Sequence, residues 1–342
     1  MYGSAVRTRH GSPLLSEHAM KKLLRAIRPV FEVALICAGL LLIPFIPRRF
    51  LVALARGLGH LGFRFARRER RLALANADVV FGASLTASQK EHMVRRAFGS
   101  FALTMLDLFW FHWRTRQRVA QWVALPAAYL PVLQSTPAVY ITAHLGNWEV
   151  MGLAAALQGF PPASVAATLN NSFADRMITR MRRKTGQRVV PQQGALREIM
   201  TILRQGGRIA MLIDQNTMPE DGGVFVDFFG LPAPVTLAAA RLARRTGANI
   251  VLGYCVAEQM RYTVGVIPVL KVEELQAISD EEATQLMMNA VARVIRDHPD
   301  QWVWMYKRWR RIPPALDDNS QFPFYANREQ WQKDRQSKQG DP

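Results

Sequence analysis

A histidine and a carboxylate five residues apart are the clearest candidates for chemistry in this sequence. They stand in residues 143–149 (AHLGNWE), where His144 precedes Glu149. An imidazole can take a proton from a hydroxyl group near neutral pH. A carboxylate can fix the tautomer of that ring and stabilise the imidazolium. The pair is therefore suited to acyl transfer from a thioester to an alcohol.

The flanking residues indicate how the two side chains could meet. Residues 138–143 (AVYITA) form a short apolar, β-branched run typical of a buried strand, and residues 150–157 are predicted to be helical. On a regular helix, a five-residue step would separate the two side chains by about 140°. We therefore expect His144 on the turn before the helix, where Gly146 permits a tight bend. The amides of the first helical turn would then face a developing oxyanion.

Two interpretations of His144 stay open on spacing alone: a catalytic base, or a histidine that caps a helix or packs in the core. The strand before it and the helix after it favour the first, because ligands collect at the carboxyl ends of strands in α/β sheets. Neither Cys37 nor Cys255 has a second cysteine or a histidine at metal-ligand spacing. The sequence predicts no metal site and no bound cofactor.

Strands alternate with helices along the middle of the chain. The strand-like runs are residues 138–143, 164–168, 209–213, 250–256 and 262–269. The helical runs are residues 88–113, 150–157, 175–185, 196–204, 237–246 and 281–297. This alternation predicts an α/β fold with a mixed central sheet flanked by helices.

The formal net charge of +18 predicts an anionic partner. Basic residues are densest on both sides of an apolar run at residues 30–47. That arrangement is typical of a helix that lies in an anionic leaflet, or dips into it, from the cytoplasmic side. A spanning helix needs about 20 apolar residues, so spanning and dipping both stay open, with a buried core helix as the alternative. No zinc-finger spacing or glycine–aromatic RNA-binding signature appears, so we expect no nucleic-acid partner.

Six sequence blocks, taken in order between about residues 25 and 312, resemble the bacterial lipid A biosynthesis (lauroyl/myristoyl) acyltransferases. This family belongs to the wider H-x-x-x-x-D/E glycerolipid acyltransferases. The blocks are residues 70–76 with 81–84, 144–149 (HLGNWE), 214–216 (DQN), 224–232 (VFVDFFGLP), 240–248 (ARLARRTGA) and 298–308 (HPDQWVWMYKR).

The resemblance implies an O-acyltransferase at the cytoplasmic face of the inner membrane. The donor would be an acyl thioester, usually on acyl carrier protein or else on coenzyme A, and the acceptor a lipid A precursor. The resemblance makes His144 the base and Glu149 its partner. The candidate substrate-binding residues are Asn147, Arg176, Arg180, Asp214 and Gln215.

One segment departs from the family pattern. The family commonly carries an Arg-Pro pair ahead of an Asn-Pro, where residues 167–172 here read ATLNNS. Arg176 or Arg180 could replace the missing arginine, or the acceptor could be a phospholipid or another glycolipid. The basic residues around them could contact a phosphorylated headgroup or an acidic carrier protein, or could form a solvated helix face.

These features divide the chain into four segments. We expect a disordered leader at 1–20, a basic and apolar membrane anchor at 21–71, the acyltransferase domain at 72–318 and a loose tail at 319–342. Near the end of the domain, Trp302, Trp304 and Trp309 alternate with basic residues, which suits either a membrane interface or a core. Two alternatives from another class stay open: a basic nucleic-acid-binding protein, and a non-catalytic membrane scaffold with the same fold.

Overall fold

The computed structural model describes residues 17–166, 171–192, 194–314, 316 and 318–327, with side chains from residue 29 onward. The α-helices in these ranges are α1 (Glu17–Leu42), α2 (Arg48–Phe65), α3 (Arg67–Phe81), α4 (Ala87–Trp110), α5 (Thr115–Trp122), α6 (Leu130–Gln134), α7 (Trp148–Leu157), α8 (Ser172–Lys184), α9 (Leu196–Arg204), α10 (Ala238–Thr246), α11 (Val272–Gln276) and α12 (Asp280–Asp297). The strands are β1 (Val123–Ala124), β2 (Ala138–Thr142), β3 (Ala163–Ala166), β4 (Arg188–Pro191), β5 (Arg208–Leu212), β6 (Gly223–Phe228), β7 (Leu231–Thr236), β8 (Asn249–Glu258) and β9 (Arg261–Leu270).

The central sheet is mixed, as predicted. Within the described residues its order is β1-β9-β8-β2-β5-β3-β4, and β6 and β7 form a separate two-stranded ribbon. Strand β2 pairs in parallel with β5 on one side and with β8 on the other. The antiparallel hairpin of β8 and β9 makes the sheet mixed. The sequence did not predict β1, β4 or the β6–β7 ribbon.

Two hydrophobic cores lie on opposite faces of this sheet. On β8, Ile250 and Leu252 belong to the core that α9, α10 and α12 cover. Val251, between them, belongs to the core that includes buried residues of α2 and α7. Successive side chains of a strand point to opposite faces, so helices cover both faces and the predicted layering is confirmed.

The C-terminal tryptophans belong to the core. Trp302 is 1% exposed, and Trp304 and Trp309 are 0% exposed. Of the two interpretations of this segment, packing in the core is therefore the one that the structure supports. Residues 319–327, predicted as the start of a loose tail, pack on the domain through Tyr325, whose hydroxyl hydrogen-bonds Asn76. Residues 328–342 lie outside the described residues.

The N-terminal helices carry an exposed apolar stripe. Helix α1 begins at Glu17, inside the segment predicted as a leader, and residues 1–16 lie outside the described residues. Helix α2 buries one face against α4, and Gly59 packs so closely on Gly99 that a Cβ would come within 2.4 Å of its backbone. Its other face exposes five large apolar side chains: Phe50, Leu54, Leu58, Leu61 and Phe65.

In the part of the chain that the structure describes, none of the helices combines the length and the apolar character that crossing a membrane requires.

Candidate active site

His144 lies on a tight turn between β2 and α7. Gly146 in this turn adopts φ +59°, and a Cβ there would come within 1.9 Å of the carbonyl oxygen of Cys255. Only glycine can occupy this position without moving the neighbouring strand. The following residue, Asn147, caps α7 by accepting a hydrogen bond from the Val150 N–H at 3.0 Å. The turn therefore places His144 just beyond the carboxyl end of β2, before the helix.

The carboxylate that holds His144 is Asp214. His144 Nδ1 lies 2.8 Å from Asp214 Oδ1, and the backbone N–H of His144 donates to Oδ2 at 2.9 Å. The indole N–H of Trp302 donates to the same Oδ2 at 2.9 Å. Thr142 and Leu212 are register partners at the ends of β2 and β5. His144 and Asp214 each follow their strand by two residues, so the parallel register brings them together.

Glu149 is not the partner of His144, which corrects the predicted pairing. It lies in the first turn of α7 and forms a bidentate ion pair with Arg182 of α8. Arg182 Nε donates to Oε2 at 3.0 Å and Nη2 donates to Oε1 at 2.6 Å. The spacing of the motif fixed only the turn and the start of the helix, whereas the acidic partner of the imidazole comes from a neighbouring strand.

The electrostatics of the pair suit a general base. Burial of His144 disfavours its charged form, but Asp214 and, more weakly, Glu149 outweigh this effect and raise the pKa of the imidazole. Burial also acts to raise the pKa of Asp214, yet His144 and the Trp302 N–H lower it below its ordinary value. Asp214 is therefore ionised at neutral pH. An ionised acceptor at Nδ1 selects the neutral tautomer with the proton on Nδ1, and this leaves Nε2 to act as the base.

A cavity of about 690 Å³ contains His144 and Asp214. Its polar lining also includes Gln215 and Tyr306, so the predicted residue Gln215 faces the site. The remaining walls are mainly apolar and come largely from α2 and α4: Leu58, Phe98, Phe101, Met105, Leu106 and Phe109. We call this space the catalytic cavity. Its walls suit hydrocarbon chains. His144, Asp214 and Gln215 lie just beyond the carboxyl ends of β2 and β5, and Glu69 of α3 adds a further carboxylate to the lining.

A narrower cavity of about 90 Å³ lies between α7 and the sheet. Its lining includes Tyr140, Met151, Ala155, Gly253, Val264 and Val266, together with the Glu149–Arg182 pair. Trp148 lines both this narrow cavity and the catalytic cavity. The Trp148 ring also meets the His144 ring edge-on, with 4.9 Å between ring centroids. The two cavities therefore share Trp148 as a lining residue, beside His144.

The other predicted substrate-binding residues lie elsewhere. Asn147 is 0% exposed and directs its Nδ2 to Asp107 and Tyr262, so it supports the turn and lines neither of the two cavities. Arg176 and Arg180 lie on the exposed face of α8, around a groove that Arg183 and Lys184 also line. Among the described residues, neither arginine lines the catalytic cavity.

The sequence alone did not show the roles of Arg182, Trp302 and Asp107. Arg182 stood in a run of basic residues, with nothing to separate it from its solvated neighbours. Asp214 carried a usable signal, because it follows an apolar strand in a fold whose parallel strands end at one edge. Within the described residues, no group of three or more His, Cys, Asp or Glu side chains is placed to hold a metal ion.

The fold and the site together define an α/β protein with a histidine–aspartate pair at a largely apolar cavity. The chain belongs to the bacterial lipid A biosynthesis acyltransferase family, whose sequence profile matches residues 14–311. The predicted resemblance is thereby confirmed.

Individual relatives are distant. The chain is 27% identical over 177 residues to the phosphatidylinositol mannoside acyltransferase of Mycobacterium tuberculosis H37Rv, which covers 50% of this chain and 54% of the relative. The chain thus spans about half the length of that relative. It is 20% identical over 273 residues to the lipid A biosynthesis palmitoleoyltransferase of Escherichia coli K12, covering 78% of this chain and 87% of the relative. Among solved structures, the 1-acyl-sn-glycerophosphate acyltransferase of Thermotoga maritima matches 75% of this chain and 99% of its own, with 14% identity and a TM-score of 0.34.

Proposed function

We propose that this protein is a membrane-associated O-acyltransferase that moves a fatty acyl group from a thioester to a lipid hydroxyl. The observation that carries the proposal is the contact between His144 Nδ1 and Asp214 in a cavity with apolar walls. It leaves Nε2 as a base beside a space suited to lipid chains. The family to which the chain belongs supports the same reaction.

In this mechanism His144 works as both base and acid. Nε2 takes the proton of the acceptor hydroxyl as its oxygen attacks the thioester carbonyl carbon, and Asp214 stabilises the resulting imidazolium. The carbon–sulfur bond then breaks, and the imidazolium returns the proton to the leaving thiolate. The products are an ester and a free thiol. The N–H groups of Trp148 and Glu149, the first of α7, have no acceptor within the helix and are suited to hold the oxyanion, whereas the Val150 N–H is taken by the Asn147 cap.

The two cavities suggest how two lipids are kept apart. The acyl chain of the donor would enter the narrow cavity between α7 and the sheet. The acceptor would occupy the larger catalytic cavity, with its hydroxyl next to His144. Trp148, which lines both, would then separate the chains at the reacting carbonyl.

The acceptor is proposed to be a lipid A precursor, in keeping with the family. A specific observation favours a second candidate, a mannosylated or other phospholipid. The identity to the mycobacterial phosphatidylinositol mannoside acyltransferase is 27% over 177 residues, against 20% over 273 residues for the Escherichia coli enzyme. The sequence also departs from the family pattern just before α8, at residues that are largely outside the described ranges.

Donor and membrane are proposed from the charges and the apolar stripe. Arg176, Arg180, Arg183 and Lys184 line one groove on α8, which would receive an acidic acyl carrier protein. The exposed stripe of α2 would lie in the cytoplasmic leaflet of the inner membrane. The stripe and the catalytic cavity share Leu58, so an acceptor could pass from the leaflet to His144.

The test is acyl transfer in detergent from labelled acyl carrier protein or acyl-coenzyme A to an acceptor panel. The panel contains an under-acylated lipid A precursor, a mannosylated phosphatidylinositol and a lysophospholipid. We expect wild type to acylate one of them, His144→Ala to lose transfer, and Asp214→Asn to retain about one part in 10⁴. His92→Ala, which removes an exposed histidine of α4, serves as the control and should match wild type. Equal transfer by wild type and His144→Ala would refute the mechanism.

A further inference from the structure

A buried polar network joins α2, α4 and β9 to the turn that carries His144. At its centre is Asp107 of α4, which is 1% exposed. Arg48, the first residue of α2, pairs with both carboxylate oxygens of Asp107, with Nη2 at 3.3 Å from Oδ2. Tyr262 of β9 donates its hydroxyl to the same Oδ2 at 2.6 Å. Three elements distant in sequence therefore meet on one carboxylate.

The guanidinium of Arg48 is buried among aromatic rings and a backbone carbonyl group. Its Nε donates to the carbonyl oxygen of Met260 at 3.0 Å. Its Cζ lies 5.0 Å from the ring centroid of Trp110 and 5.4 Å from that of Tyr262. A buried charge of this kind is tolerated only while its partner is present. Arg48 and Asp107 therefore hold α2 and α4 in one fixed relation.

The network reaches the catalytic turn through Asn147. Nδ2 of Asn147 donates to Asp107 Oδ2 at 3.3 Å and to the Tyr262 hydroxyl at 3.2 Å. Its Oδ1 is already used to cap α7 through the Val150 N–H. Both ends of the Asn147 amide are thus hydrogen-bonded. Its nitrogen bonds to the network, and its oxygen bonds to the first turn of α7, which contains Glu149.

Helix α4 holds the turn at a second point. Thr104, one helical turn before Asp107, is 1% exposed and donates its hydroxyl to the carbonyl oxygen of Gly146 at 2.9 Å. Residues three apart lie on the same face of a helix. One face of α4 therefore hydrogen-bonds two successive residues of the turn, Gly146 and Asn147. His144 is two residues before Gly146 in the same turn.

We propose that Arg48, Asp107 and Tyr262 are positioning residues that hold Asn147 and so keep His144 aligned with Asp214. None of the three lines the catalytic cavity or the narrow cavity among the described residues, so their action on the reaction is indirect. The effect on turnover rests on the proposed acyl transfer. The effect on the position of the His144 imidazole does not depend on the proposed acyl transfer, and it can be measured without any substrate.

The first measurement is the NMR titration of the His144 imidazole in the intact protein, assigned by the signal that disappears in His144→Gln. Asp107→Asn and Tyr262→Phe should each move the His144 midpoint downward, toward the ordinary histidine value, because the contact with Asp214 loosens. In acyl transfer, each variant should lower kcat about 10- to 100-fold with KM within about twofold, as expected for a misplaced catalytic group. A wild-type titration curve together with wild-type kcat in both variants would overturn the proposal.

A double variant separates positioning from stability. Arg48→Met with Asp107→Leu replaces the ion pair by apolar side chains, a change that buried pairs often tolerate. We expect the double variant to regain part of the stability that Asp107→Leu alone loses, because no unpaired charge is left, although the Tyr262 hydroxyl and Asn147 still lack their acceptor. Its kcat should stay low, and its His144 midpoint should stay below that of wild type. If it instead recovers wild-type kcat and titration along with its stability, the network is structural only. Should the double variant not fold, Tyr262→Phe decides the question, because it removes a single hydroxyl and keeps the ring.

The matched control is Asp280→Asn, which removes the carboxylate paired with Arg244 at 2.9 Å between α12 and α10. It should lower stability without changing kcat or the His144 titration. A wild type that transfers no acyl group to any lipid would refute the proposed function, whereas the titration of His144 would still decide whether the network positions it.

Discussion

Glu149 and Arg182 form a bidentate ion pair that ties the start of α7 to the basic helix α8. The side chains are only 10% and 15% exposed, and both carboxylate oxygens are engaged. Coulombic attraction to Glu149 also raises the pKa of Arg182 above its ordinary value, against the opposing effect of burial. A carboxylate in the first turn of a helix is further favoured by the helix dipole. Glu149 thus supports the site through its ion pair with Arg182 and through its charge, which helps to raise the pKa of His144.

The Glu149–Arg182 pair should show strong coupling in unfolding experiments. Glu149→Gln and Arg182→Gln should each lower the free energy of unfolding by about 3 kcal/mol, because each leaves an unpaired charge in a buried position. The double variant should lose much less than the sum of the two. Urea unfolding of the four proteins measures this coupling, and additive losses would show that the two charges act independently.

Transfer should depend on pH through the raised pKa of His144. The base is active only when neutral, so kcat/KM should rise with pH to a midpoint above 6.5, the ordinary histidine value. Asp214→Asn should lower the plateau and move the midpoint to lower pH, since burial lowers the pKa of His144 and Asp214 is the main cause of the rise that outweighs it. A profile whose midpoint is the same in both proteins would contradict the assignment of Asp214.

The same shift has a consequence for stability. A folded-state pKa above the unfolded value stabilises the protein fully below pH 6.5, and the contribution is lost as pH rises through the folded pKa. For Asp214 the folded-state pKa is lowered, so its contribution is present above pH 3.8 and is lost as pH falls through the folded value. The free energy of unfolding of wild type and Asp214→Asn, measured from below pH 3.8 to above pH 6.5, gives the contributions of Asp214 and His144 to stability.

The narrow cavity should set the length of the acyl chain. Ala155 of α7 lines it, and Ala155→Leu would fill part of the space without weakening the helix. We expect the preferred donor to shorten by at least about two carbons, since each excluded methylene forfeits about 0.8 kcal/mol of burial. Competition between labelled donors of different length measures this preference. Ala290→Leu on α12 lines neither cavity and should leave it unchanged, and an unchanged preference in Ala155→Leu would place the chain elsewhere.

The apolar stripe of α2 should bind membranes. Leu54→Glu and Leu61→Glu should reduce co-sedimentation with phosphatidylglycerol vesicles at least about tenfold, because a charge would have to enter the leaflet. Leu286→Glu on α12 is a close control, since Leu286 is 43% exposed and Leu54 is 41% exposed. Equal losses in all three variants would point to a general effect of charge, and no loss in the α2 variants would refute the proposed membrane surface.

The local sequence determined the strand, turn and helix around His144. The apolar run of β2, the glycine at 146 and the start of α7 all act within a few residues, so backbone sterics fix the turn wherever the segment folds. The alternation of strands and helices likewise determined the mixed α/β class, and the ordered blocks determined the family. Each of these conclusions depends on local patterns, which can be recognised without knowing which strands are neighbours in the sheet.

Only the tertiary structure decided which acid serves the histidine. Asp214 lies 70 residues from His144 in sequence, and the two meet because β2 and β5 pair in register. The same nonlocal packing pairs Glu149 with Arg182 and buries Asn147 against Asp107. Side-chain spacing along the chain carries no information about strand order or helix docking. These set the partners of every charged group in the site.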